Sequence, residues 1–440
     1  MKRLIPAILA AVVALPFLIL LLASSTPAIT LDPAITTVGQ ATPLHAIVES
    51  KHGVRRLSVF VEQNGNRYPA AEKTWAATRF VFWRHAQPPA SYVLTIGSKT
   101  TPALKDGKAS LIVEAVSNDL RGSTATVIRE VSVVTQPPFV TADGAQHYIN
   151  QGGSELVQLS PSGYWTEAGV KVGKYTFRSF PMPGGKPGRF SLYAFPWDLS
   201  ASTVPMVFAS NPAGAEATAA FVYKLFPKDF RRRDLPIDDG FLNRVVNQID
   251  PGGSGDLLAR FLVINREMRV RNNRTLADLR VKTEPRFLFN TPFAQQPNSK
   301  VESVFADDRS YIYKGKKVDE QVHLGFDLSV TQHVPVLASN DGKVVFAEML
   351  GIYGNCIVLD HGYGLQSIYG HLSQIDVKAG DAVRKGQVMG RSGSTGLAGG
   401  DHLHFSMQLD GVQVNPVEWW DGHWIKDHVW NRIGQSGPGN

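Results

Sequence analysis

Between residues 402 and 409 the chain reads HLHFSMQL, and apolar and polar side chains alternate without a break. Leu403, Phe405, Met407 and Leu409 fall on one parity and His402, His404, Ser406 and Gln408 on the other, the two-residue period of a strand with one buried face. The pattern predicts a strand carrying two histidines side by side on its polar face. A second alternating run, VHLGFDLSV, sets Val322, Leu324, Phe326 and Leu328 against His323, Gly325, Asp327 and Ser329. Read as one strand, it places His323 and Asp327 on a shared face, with Gly325 leaving room above the backbone between them.

The same kind of reading divides the rest of the chain. Short β-rich runs such as LHAIVES, RRLSVFVE and ASLIVEAVS, separated by Gly, Asn and Pro turn signals, predict an immunoglobulin-like β-sandwich over 35–136 that ends at the stiff TQPPFV segment. ELVQLS, KYTFRSF, RFSLYAF and VPMVFAS predict a second such sandwich over 137–228. The period then changes, because Leu257, Phe261, Ile264 and Met268 recur at helical spacing, with Asp238 and Asp256 near the starts of the helices. A helical hairpin or linker over 236–284 is expected, as a packed connector or as a lid over an active site. From 285 to 425 the chain is β-rich again and contains most of the histidines.

At the start, Lys2 and Arg3 precede an uncharged stretch from Leu4 to Ala23, about the 20 residues that cross a bilayer. Residues 1–25 are thus read as an export signal, kept as a transmembrane anchor or cleaved near Ala23, with the remainder in the cell envelope outside the cytoplasm, in the periplasm or cell wall. The single cysteine, Cys356, forms no internal disulfide, so packed cores must hold this exported chain together. The formal charge of +7 over 440 residues is dispersed, with one run at Arg231 to Arg233, and no nucleic-acid motif accompanies it.

Chemistry concentrates in the last segment. His323, Asp327 and His404 supply two nitrogens and a carboxylate, a three-ligand set for Zn2+ that leaves a fourth position to water. That is the ligand count of a catalytic site, and zinc lowers the pKa of bound water from 15.7 to about 7.

HLGFD followed by YGHL and HLHF resembles the lysostaphin and LytM type of zinc metallopeptidase, which cuts peptides in bacterial peptidoglycan. The likeness covers residues 300 to 420 and extends to VPVLASNDGKVVFA, to the long run from YGNCIVLDHGYG to GRSGSTG, and to VNPVEW. It implies an antiparallel β-sheet peptidase domain of the duplicated hybrid or half-barrel kind, with His323, Asp327 and His404 as metal ligands. It also implies that His371 and His402 are the two catalytic histidines outside the ligand set, acting on the water, the oxyanion or the leaving amine. SVFADDRS stands where the family has a Ser-x-Phe-Gly-x-Arg turn, which leaves the role of Arg309 open.

Other readings lead elsewhere. His361, in the DHGYG turn, is read as a hairpin residue, and Cys356, in NCIVL, as a buried core thiol. GRSGSTG lacks the G-x-S-x-G order of a serine nucleophile elbow, since Ser394 takes the place of its last glycine. VKAGDAVRKGQVMG resembles a biotinyl or lipoyl carrier hairpin, but a carrier gives no reason for three ligand residues. The expectation is a mainly β, multidomain zinc endopeptidase acting on peptidoglycan, anchored to the membrane, with envelope protein partners possible through the sandwiches and no nucleic-acid partner. The alternative is an inactive wall-binding activator of another hydrolase.

Overall fold

The structure is a computed structural model that describes residues 4–78, 86–329 and 331–434. The chain is mainly β. It forms two compact units, the first made of 1–139, 162–166 and 209–217 and the second of the remainder.

In the first unit a three-stranded sheet containing Thr42–Glu49 and a five-stranded sheet containing Val54–Gln63 and Gly107–Ser117 share one core. Leu44, Ala46 and Val48 from one sheet and Leu57, Val59, Val61, Leu111 and Val113 from the other all lie in it. Burial alternates along Thr42–Glu49, as a strand with one wet face requires.

A helix forms over Leu4–Ala23, and the side chains of 4–11 and 13 are outside the described set. Its last turn is docked on the first unit. Leu20 is buried, the guanidinium of Arg121 donates to the Leu21 carbonyl at 3.2 Å, and Ser25 N donates to Asp119 at 3.0 Å. Among the described residues no helix is long and apolar enough to cross a membrane.

In the second unit the elements around the histidines are β1 (Arg232–Ile237), α1 (Asp239–Ile249), α2 (Leu257–Val263), α3 (Arg269–Asp278), β2 (Lys300–Ser303), β3 (Asp307–Tyr313), β4 (Lys316–His323) and β5 (Phe326–Ser329). They continue with β6 (Gly342–Met349), β7 (Asn355–Gly362), β8 (Leu365–Leu372), β9 (Ala382–Val383), β10 (His402–Leu409) and β11 (Val412–Val414). One sheet has the order β2-β5-β10-β8-β7-β6-β9, with β11 beside β10, and a smaller sheet has the order β1-β3-β4.

The helices start where side-chain oxygens cap them. Asp238 accepts from Phe241 N at 2.7 Å and Asp256 from Ala259 N at 2.8 Å. A π-turn over Ile264–Met268 joins α2 to α3. Leu242, Val245, Val246, Phe261, Ile264 and Leu276 then share a core with Val358 and Ile368 of the large sheet. The helices therefore cover one sheet face, and β8 is buried at every position. Gln366 and Gln408 face the helical layer, where they donate to the backbone carbonyls of Leu279 and Leu276 at 3.0 and 2.9 Å.

Two sequence expectations need correction. VHLGFDLSV is not one strand: β4 ends at His323 in the small sheet, and β5 begins at Phe326 in the large one. The chain breaks at Leu324 and Gly325 because another side chain occupies the space above the glycine. A Cβ on Gly325 would lie 2.4 Å from Ser406 Oγ and 2.7 Å from the His404 ring. The polar parity of β10 is likewise not a wet face, since His404, Ser406 and Gln408 are buried under the helices and neighbouring loops.

Candidate metal centre and active site

Pairing across the large sheet assembles the centre. Asp327 on β5 lies directly opposite His404 on β10, and Gly370 on β8 flanks His404 on the other side. His323 arrives from the end of β4, paired with Asp307. One ligand-type atom from each of His323, Asp327 and His404 lies within 4.8 Å of the others. The sequence-predicted trio is thus brought together by two sheets meeting at Gly325.

Hydrogen bonding fixes which ring nitrogens carry protons. His323 Nδ1 faces the Val304 carbonyl at 3.1 Å, so it is the N–H and Nε2 carries the lone pair. Ser406 donates its hydroxyl proton to the Leu324 carbonyl at 2.6 Å, so at 2.9 Å its oxygen accepts from His404 Nε2–H, leaving Nδ1 of His404 bare. These two bare nitrogens lie 3.0 Å apart, and Asp327 Oδ1 is 2.9 Å from the first and 3.2 Å from the second. Three lone pairs converge with no proton between them, an arrangement a cation stabilises. The donors, two imidazoles and a carboxylate, fit zinc.

Electrostatics agree with the geometry. Burial lowers His404 to about 4, against the opposing pull of Asp327. His323 is lowered for the same leading reason. Burial alone would raise Asp327, but the attraction of His323 and close contact with the rings of His402 and His404 hold it well below the usual carboxylate range.

His371 and His402 stand beside this trio, their rings 4.8 Å apart and the His371 ring 5.7 Å from that of His404. Each has Nδ1 held by a backbone carbonyl at 2.8 Å, Thr395 for His371 and Gly400 for His402. Each therefore carries its lone pair on Nε2. His402 Nε2 lies 3.4 Å from Asp327 Oδ1. Burial and the repulsion of His402 and His404 push His371 well down, whereas Asp327 raises His402 despite burial. His371 also has a φ of +64°, a left-handed conformation that costs a non-glycine residue of order 1–3 kcal/mol and persists only where its surroundings enforce it.

Arg309 has a definite place. Its guanidinium binds Asp327 Oδ2 at 2.5 Å, which leaves Oδ1 turned to the two histidines. Ala306 occupies the turn before it at φ +62°, a region that favours glycine. The orienting groups Val304, Thr395, Gly400 and Ser406 were not legible as site residues, because three act through backbone carbonyls and the fourth sits on a strand whose polar parity was read as wet. His361 lies apart, buried, with Nδ1 2.7 Å from the Asp341 carbonyl and Nε2 2.7 Å from Ser367 Oγ. Cys356 is buried in the core, and burial raises its thiol.

The cavity over the trio holds about 90 Å³, and Arg269 and Asn273 of α3 and Tyr353 line it together with the histidines.

The model of peptidase family M23 matches residues 321–416. The DD-carboxypeptidase/endopeptidase Mpg of Neisseria meningitidis serogroup B is 41% identical over 97 residues, 22% of each chain. The murein hydrolase activator EnvC of Escherichia coli is 36% identical over 95 residues, 22% of this chain and 23% of that one. The chain spans less than a quarter of the length of these relatives. Among solved structures, the catalytic domain of lysostaphin from Staphylococcus simulans is 32% identical, covering 28% of this chain and 92% of that one, with a TM-score of 0.25. All five residues picked out in the sequence lie within the matched segment, and residues 321–416 of the chain are a peptidase family M23 domain of the lysostaphin and LytM type.

Proposed function

We propose that the domain is a zinc-dependent endopeptidase that hydrolyses peptide cross-links of bacterial peptidoglycan. His323, Asp327 and His404 hold the metal in this reading, and His371 and His402 are the catalytic histidines. The convergence of three proton-free donor atoms beside two further imidazoles with inward Nε2 lone pairs carries it. The names of relatives that cut peptidoglycan support the substrate class.

When bound, zinc supplies a Lewis acid for the scissile carbonyl and a water acidic enough to ionise near neutral pH. Arg309 holds Asp327 so that one carboxylate oxygen faces the trio. The Gly400 and Thr395 carbonyls hold His402 and His371 in the tautomer whose Nε2 accepts a proton from water. Once protonated, the same nitrogens donate, to the oxygen that becomes negative or to the departing amine. A substrate of this class places the action in the cell envelope, outside the cytoplasm. The β-rich segments 35–136 and 137–228, read as sandwich modules, would offer surfaces to envelope proteins.

The likeness to a murein hydrolase activator favours a second reading, in which the chain binds the wall and stimulates another enzyme. Incubation of purified sacculi with the chain alone separates the two. The peptidase reading expects new soluble muropeptides with a free amine at the cut cross-link. The activator reading expects none until a second wall hydrolase is added.

A further inference from the structure

A groove of about 900 Å³ runs from the Asp327 and His402 edge of the centre, outside the peptidase segment, to β1 and α1. Arg233 on β1 pairs in register with Arg309 on β3, so the two guanidinium-bearing side chains stand next to each other on one sheet face. Arg244 reaches in from α1. Arg309 is engaged by Asp327, whereas among the described residues Arg233 and Arg244 form no ion pair, although the charge of Arg233 helps to lower the Glu302 carboxyl that Lys300 holds. Arg233 donates to the Glu302 carbonyl at 2.8 Å, and Arg244 donates to the Gly399 carbonyl at 3.0 Å.

The carboxylates lining the same groove are mostly engaged. Lys300 pairs with Glu302 at 2.8 Å, and Asp238 caps α1. Asp401 accepts from His333 N through one oxygen, while its other oxygen is buried without a partner. Arg309 Nε is also buried without a partner. Among the described residues the groove thus holds two guanidinium groups without an ion pair, at its far side.

We propose that this groove is the subsite for a peptide bearing a free carboxylate near the scissile bond, with Arg233 and Arg244 receiving that carboxylate. The proposal rests on the peptidase reading for its substrate and adds the residues that select it. A planar guanidinium binds a carboxylate with two parallel hydrogen bonds and cannot be deprotonated, so it distinguishes an acid from its amide by charge and by geometry. Because Arg233 and Arg244 precede the M23 segment, selectivity would reside in β1 and α1, while the chemistry resides in the peptidase sheet.

The test uses the full chain and two probes, a cross-linked stem-peptide dimer with free α-carboxylates and the same dimer amidated there. The expected ratio of kcat/KM for acid over amide is at least about tenfold, the size of one charge-assisted contact. Arg233→Gln/Arg244→Gln should bring that ratio to near one, and Arg244→Glu should invert it. Arg244 is exposed and Arg233 half-buried, and an unchanged melting curve shows that the fold is kept. Equal rates for acid and amide in the unaltered chain, or a ratio untouched by the double substitution, would overturn the proposal. Calorimetric binding of both dimers separates its failure from failure of the peptidase reading. If neither dimer is cut yet the acid binds at least tenfold tighter through Arg233 and Arg244, the subsite stands and the peptidase reading falls. Equal binding of the two dimers removes the subsite.

Discussion

His361 and the pair His371 and His402 lie in one sheet and are all largely buried, yet their rings are held differently. Both nitrogens of His361 are satisfied inside the core, by a carbonyl and a hydroxyl, and its ring packs against Phe293. In His371 and His402 a backbone carbonyl takes only Nδ1, and Nε2 is left to the cavity beside Asp327 and His404. Burial therefore does not separate a structural histidine from a chemical one. The number of nitrogens the fold leaves without a proton partner does.

The comparison breaks most visibly at His404, which belongs to the trio. His404→Ala should take bound zinc from about one per chain to near none and abolish wall hydrolysis, as read by metal analysis and muropeptide release. Retained zinc would show that another residue completes the ligand set. Next in size, His402→Ala and His371→Ala should each slow hydrolysis by about 10²–10⁴ while zinc stays bound, because neither ring belongs to the converging trio. If His402→Ala loses zinc as readily as His404→Ala, the assignments of these two histidines must be exchanged.

A smaller effect is expected one contact further out. Arg309→Gln removes the group that turns Asp327 towards the histidines and should lower zinc affinity or activity by about 10–100-fold, measured by competition with a chromophoric chelator. An unchanged affinity and rate would mean that the sheet alone orients Asp327.

The least effect on chemistry belongs to His361. Burial lowers its pKa from 6.5 to about 4, so between these values the unfolded chain binds the proton that the folded chain refuses. Its contribution to stability is complete above pH 6.5 and declines as pH falls through that window, by up to about 3 kcal/mol. His361→Gln should flatten this part of the stability curve in denaturant titrations and leave zinc content unchanged. A curve of the same slope would mean that other groups dominate acid unfolding.

How much of this was legible in the sequence depended on what lay over each strand. Thr42–Glu49 alternates between core and solvent, and its parity reads directly. Strand β10 also alternates in residue type, and that sufficed to find a strand and two same-side histidines. It gave the wrong environment for them, because a polar side chain buried under a helix, such as Gln408 on the Leu276 carbonyl, looks the same in sequence as a wet one. Asp327 and His323 were correctly brought together for an incomplete reason. They converge across a chain break that Gly325 allows, and the close approach of His404 to that glycine is a tertiary fact. Arg309 stood in a departure from the family pattern, and only pairing along β3 and β4 showed that its guanidinium still reaches Asp327.

The most direct measurement of the central claim is muropeptide release from purified sacculi by the full chain after chelation, before and after one equivalent of zinc is returned. The account predicts no release by the metal-free chain and full release once the trio is filled. Release by metal-free chain at the rate of the zinc-loaded chain would contradict it.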